Sequence, residues 1–129
     1  VDAARRPMKT GKTFSAPLGV DLIELKRAKS FYCACKNRLG SFFSGTEIGV
    51  IQRSKKPYES FAILLAAKEA AFKALPQPGV GIAAFRNIEI LPTLKGQLTL
   101  KFKKTRRKGS IKFSVLKNTR VVIVQCAGI

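Results

Sequence analysis

At 129 residues, 46% of them hydrophobic and nine of them Phe, the chain is long enough for a single domain to bury a core without disulfide staples. No uninterrupted apolar run approaches the roughly 18 residues of a bilayer-spanning helix, so a soluble domain with no membrane span is expected. Only seven Asp and Glu stand against 25 Lys and Arg, a formal charge of +18, which points to polyanionic partners: nucleic acid, an anionic membrane surface, a phosphorylated small molecule or an acidic protein.

Residues 1–17 are basic, rich in small and hydroxylated side chains, and end at Pro17. They read as a tail ahead of a domain spanning 18–129. An Arg-rich, acid-poor start at Val1 fits either an expression remnant or the end of an organellar presequence. The expected compartment is the cytoplasm, or an organelle matrix in the second case.

The segment GVDLIEL, residues 19–25, is short and aliphatic, which suits a strand with alternating faces. It holds two of the scarce acids, Asp21 and Glu24. A carboxylate among Val20, Leu22 and Ile23 risks desolvation and needs a cation or a hydrogen-bond partner to stay charged. Asp21 therefore marks a site, a helix cap or an ion pair. Beyond it, Leu25, Ala28, Tyr32, Cys35 and Leu39 recur at helical spacing and predict one helix, with Lys26, Arg27, Lys29, Lys36 and Arg38 forming a basic face.

Ser44 precedes Glu47 by three residues, the spacing of a capping box, so a short helix is expected there. The run at residues 54–75 is dense in Ala and Leu, with Phe61, Leu65, Lys68 and Phe72 at helical spacing, and predicts a long helix. Glu69 and Lys73 share a face of it, as an ordinary i,i+4 surface pair would. Pro76, Pro78, Gly79 and Gly81 end the helix in a loop.

In the last third, NIEIL, QLTLKF, IKFSV and RVVIVQC are short segments rich in Ile, Val, Leu and Phe, separated by turn residues, and predict antiparallel strands joined by hairpins. Leu98, Leu100 and Phe102 alternate with Thr99, Lys101 and Lys103, as on a sheet with one buried face. The expected fold is α+β, an antiparallel sheet packed against one long and several shorter helices. RNA binding, the first candidate on charge alone, would want aromatic residues free for stacking, whereas Phe102 and Phe113 fall on core positions. Three cysteines and no histidine predict reduced thiols instead of disulfides or a zinc site.

GVDLIELKR followed some forty residues later by FAILLAAKEAAFKAL resembles the two signature motifs of the 4'-phosphopantetheinyl transferase superfamily, most of all its holo-acyl-carrier-protein synthase type. The resemblance runs from about Leu18 to Cys126. It implies transfer of 4'-phosphopantetheine from coenzyme A to a serine of apo acyl carrier protein, with release of 3',5'-ADP. It also implies a magnesium ion on Asp21 and Glu69, with Glu24 holding a metal-bound water. Glu69 would be the base and Lys73 would neutralise the phosphoryl charge.

Coenzyme A contacts would fall to Lys68, Lys73 and Lys117, and to the backbone at Gly79 and Gly81. The place of Lys68 on the apolar side of its helix fits packing as well as phosphate contact. The acidic carrier protein would dock on Arg27 first, then on Lys26, Lys29 and Lys36. With one copy of each motif and no internal repeat, the chain resembles the small class, which forms homotrimers. Two positions depart from the pattern: Leu64 stands where many relatives carry Arg, and Lys117 where many carry His.

Overall fold

The computed structural model describes residues 18–74, 88–93, 97–102 and 111–128. The elements run β1 (Leu18–Glu24), α1 (Leu25–Cys35), α2 (Gly45–Arg53), α3 (Pro57–Ala74), β2 (Ile88–Pro92), β3 (Leu98–Phe102), β4 (Ile111–Lys117) and β5 (Val121–Gly128). The predicted α+β class holds. The basic tail and the loop with Gly79 and Gly81 lie outside the described residues.

The strands form two sheets, not the single sheet expected: β1-β5-β4 and β2-β3, every pairing antiparallel. Alternation in a sequence specifies which face a residue occupies, not which strand lies beside it. In the larger sheet one face is apolar by period two. Val122, Val124 and Cys126 of β5 are buried, and the register sets Ile23, Asp21 and Gly19 of β1 beside them. The opposite face carries Leu22, Ile123 and Leu116 in one row.

Helix α3 covers the buried face. Ten of its 18 residues are buried, as befits a helix apolar around most of its circumference. Its small residues Ala66, Ala67, Ala70, Ala71 and Ala74 let the strands come close, and α1 and α2 close the outer side. Phe61 of α3 gathers Phe31, Tyr32 and Phe43 edge to face. Among the described residues no helix is long and apolar enough to cross a membrane.

Two local readings have different outcomes. The capping box is complete: Ser44 Oγ accepts from the Glu47 amide, and the Glu47 carboxylate accepts from the Ser44 amide. The helix expected to reach Leu39 instead ends at Cys35, and a 3₁₀ segment, Lys36–Ser41, breaks at Arg38 with φ −130°. Asn37, Gly40 and Ser41 are weak helix formers. Leu39 still reaches the core, and its carbonyl accepts from the amides of Phe42 and Phe43.

Candidate active site

The alternation of β1 turns Asp21 inward, onto the sheet face that α3 covers. Glu69 and Lys73, one helical turn apart, meet it there. Lys73 Nζ lies 2.9 Å from Asp21 Oδ1 and 3.3 Å from the Val20 carbonyl oxygen. The Asp21 side chain is 13% exposed and that of Lys73 57%, so the ammonium is held at one end and open to solvent at the other.

Electrostatics make the trio unusual. Burial first, then the charge of Asp21 and the hydrogen bond the two carboxyls share, push Glu69 up to about 7, while Lys73 pulls the other way. Lys73 is itself raised above the ordinary lysine value, first by its bond to Asp21 and then by the charges of Asp21 and Glu69, against the opposing effect of burial. Two carboxyls compete here for one cation.

Asp21 and Glu69 open into a cleft of about 650 Å³ whose lining also includes Glu24, with Lys26, Arg27, Ser30 and Phe31 on the α1 side. Acidic groups thus share the cleft with cationic ones. Lys29 turns away, its ammonium 5.3 Å from the centre of the Tyr58 ring, and with Lys26, Lys55 and Lys56 it borders a second concavity of about 590 Å³. Lys36 is exposed at the start of the 3₁₀ segment.

Lys68 is corrected to a packing role. Its side chain has no exposed surface, and its ammonium sits 2.7 Å from the equally buried Glu47 carboxylate and donates to the Phe42 carbonyl at 2.8 Å. Lys117 also lies elsewhere, on β4, paired with Glu59 beside a cavity of about 300 Å³. Leu64 lines that same cavity, so the two departures from the family pattern are neighbours.

Sequence reasoning missed Glu47 and Glu59 as the partners of Lys68 and Lys117, and Ser30 and Phe31 as cleft walls. One signal was available for Glu47: a lysine on an apolar helix face needs a counter-charge, and the chain has few acids to supply it.

Among the described residues no three metal-ligating side chains cluster, so the protein offers the Asp21 and Glu69 carboxylates, with Glu24 in the same cleft. Magnesium takes one or two carboxylates and fills its remaining positions with water and phosphate oxygens. The donor set fits that ion, and the crowding of Asp21 and Glu69 puts two carboxyls where a cation would relieve their repulsion.

Two carboxyls sharing a hydrogen bond, an ammonium paired with one of them and cationic cleft walls suit the handling of a phosphorylated substrate. The sequence profile of the 4'-phosphopantetheinyl transferase superfamily matches residues 17–126, and the chain belongs to that superfamily. It is 37% identical over 83 residues to a holo-[acyl-carrier-protein] synthase of Chlamydia caviae, covering 63% of this chain and 67% of that protein. A holo-[acyl-carrier-protein] synthase of Chloroherpeton thalassium is 35% identical over 85 residues, with 64% and 69% covered. The fold matches the crystal structure of the Neisseria meningitidis holo-[acyl-carrier-protein] synthase with a TM-score of 0.72 at 22% identity, over 88% of this chain and 97% of that one. It matches the Bacillus anthracis synthase, solved in complex with CoA (3',5'-ADP), with a TM-score of 0.69 at 23% identity, over 87% and 94%.

Proposed function

We propose that this chain is a holo-acyl-carrier-protein synthase, moving 4'-phosphopantetheine from coenzyme A to a serine hydroxyl of an apo acyl carrier protein. The observation that carries the reading is that Asp21 and Glu69 line one cleft while Lys73, paired with Asp21, stands beside it. The serine oxygen attacks the phosphorus that bears pantetheine, the pyrophosphate P–O bond breaks, and 3',5'-ADP leaves with the electron pair.

Asp21 and Glu69 would hold a magnesium ion, which when bound supplies charge neutralisation at the pyrophosphate. Glu69, directly or through a bound water, would take the serine proton. Lys73 offers its exposed ammonium to the phosphoryl oxygens as charge builds on them. Arg27 and Lys26 on the cleft wall would meet the acidic carrier, with Lys29 beside Lys26 on the adjoining concavity and Lys36 exposed beyond the end of α1. Phe113 packs against the core and is not a stacking platform, which disfavours the RNA-binding alternative.

The resemblance carries a homotrimer, and the exposed Leu22 and Leu116, with the half-buried Ile123 between them, support self-association. The test of function incubates the protein with apo acyl carrier protein, coenzyme A and magnesium and weighs the carrier by mass spectrometry. A carrier heavier by one phosphopantetheine is expected. An unmodified carrier sinks the enzyme reading and leaves a relative that binds the carrier without modifying it.

A further inference from the structure

Lys68 and Glu47 form an ion pair with no exposed surface on either side chain, and its acceptors are shared with backbone from several elements. Glu47 Oε1 also accepts the Ser44 amide at 2.8 Å, and Oε2 accepts the Ile90 amide at 2.8 Å. Ser44 Oγ in turn donates to Glu89 at 2.6 Å, and Lys68 donates to the Phe42 carbonyl. One network therefore ties the turn before α2, α2 itself, α3 and β2.

Stability is a poor explanation for it. Taking two charges out of water is expensive, and well-packed apolar residues often replace such pairs at no loss or with a gain. Geometry explains it better. Phe61 and the close approach of Ala70 to Gly19 hold α3 against its neighbours, but Ala66, Ala67 and Ala71 present similar small surfaces around Glu69 and add little to specify the local rotation of the helix. Slipping by one residue moves a helical side chain by about 1.5 Å along the axis and about 100° around it. A buried ammonium satisfied in a single place removes that freedom, and Glu69 is the very next residue.

We propose that the Lys68–Glu47 pair is a positioning device that fixes the rotation and axial register of α3, so that Glu69 meets Asp21. The inference rests on the transferase reading for the role of Glu69. Lys68 and Glu47 are positioning residues, acting through Glu69 without touching substrate.

The test uses the full chain and Mn²⁺ as the probe. Lys68→Met combined with Glu47→Gln removes both charges and keeps one acceptor oxygen, enough for one of the two backbone amides that Glu47 serves. It is expected to stay folded but to melt below the parent protein, to bind Mn²⁺ at least about tenfold more weakly in calorimetry, and to lose about 100-fold in kcat, the penalty of a misplacement near 1 Å. KM for the carrier protein is expected to stay unchanged. Lys68→Gln, which can still donate to Glu47, is expected to recover part of the Mn²⁺ affinity.

A folded double variant with parental Mn²⁺ affinity and kcat overturns the proposal. So does unfolding of both variants, or unfolding of the double variant alone while Lys68→Gln behaves as the parent, because the pair would then serve folding only. If the parent protein itself transfers no phosphopantetheine, the transferase reading falls, yet the Mn²⁺ comparison still decides whether the pair aligns Glu69 with Asp21.

Discussion

Gly19 lies so close beneath Ala70 that a β-carbon on it would stand 1.9 Å from the Ala70 carbonyl oxygen. Gly19 and Asp21 share the inner face of β1, and Ala70 sits between Glu69 and Lys73 in the sequence of α3. The approach that Gly19 permits therefore also brings Asp21 to its partners. Gly19→Ala cannot be absorbed by a side-chain shift, since the obstacle is backbone. It is expected to destabilise the fold by about 1–3 kcal/mol, the usual range for overpacking, and to cut transfer more than about tenfold through a displaced α3. Urea unfolding and the transfer assay check this together. Full activity in the variant would mean that the close approach is not what builds the site.

Glu69 gives the metal-free protein a pH dependence of predictable sign. Its folded pKa of about 7 exceeds the ordinary 4.5, so between those values the folded state holds a proton that the unfolded chain has lost. Stability must then fall as pH rises through that window and level off above it. Unfolding midpoints in EDTA across pH 4 to 8 should trace this decline. Glu69→Gln should decline less steeply, the remainder coming from the buried Glu47, which is also raised, and an undiminished decline in that variant would assign the effect to another group.

The local pieces were legible in the chain, and it was the resemblance to the two motifs, not their spacing, that joined them into one candidate site. Period two in GVDLIEL puts Gly19 and Asp21 on one face, four-residue spacing puts Glu69 and Lys73 on another, and the Ser44 to Glu47 box closes within one turn. What escaped depends on which elements meet. Glu47 finds Lys68 on another helix, and Glu59 finds Lys117 across 58 residues; nothing in either segment announces its partner. The division into two sheets was hidden for the same reason, as was the early end of α1, where an apolar stripe continued past the point at which Asn37 and Gly40 no longer sustain a helix.

Arg27 and Lys36 separate docking from the general field. Arg27 lines the cleft beside Asp21 and Glu69, whereas Lys36 lies beyond the end of α1. Arg27→Ala is expected to raise KM for the carrier protein several-fold at low salt, with KM for coenzyme A little changed. The difference should shrink toward 0.5 M salt, where exposed charges are screened over a few ångströms. Lys36→Ala should shift the same constant by less than about twofold. Equal effects of the two would make the attraction a property of net charge and not of a docking face.

The outer face of the β1-β5-β4 sheet offers the test of assembly. Leu22 is 56% exposed and Leu116 68%, and both stand opposite Ile123 in register, so three apolar side chains cross the sheet in one line. Burying a leucine is worth about 1.5–3 kcal/mol, and in a closed ring each subunit contributes its row. Leu22→Glu with Leu116→Glu replaces that gain with charges that resist desolvation, while the core beneath, built on Val122, Val124 and Cys126, is untouched. Light scattering at micromolar protein should report a trimer for the parent and a folded monomer for the variant. A parent that runs as a monomer removes the assembly reading, and a variant that stays trimeric moves the interface off this face.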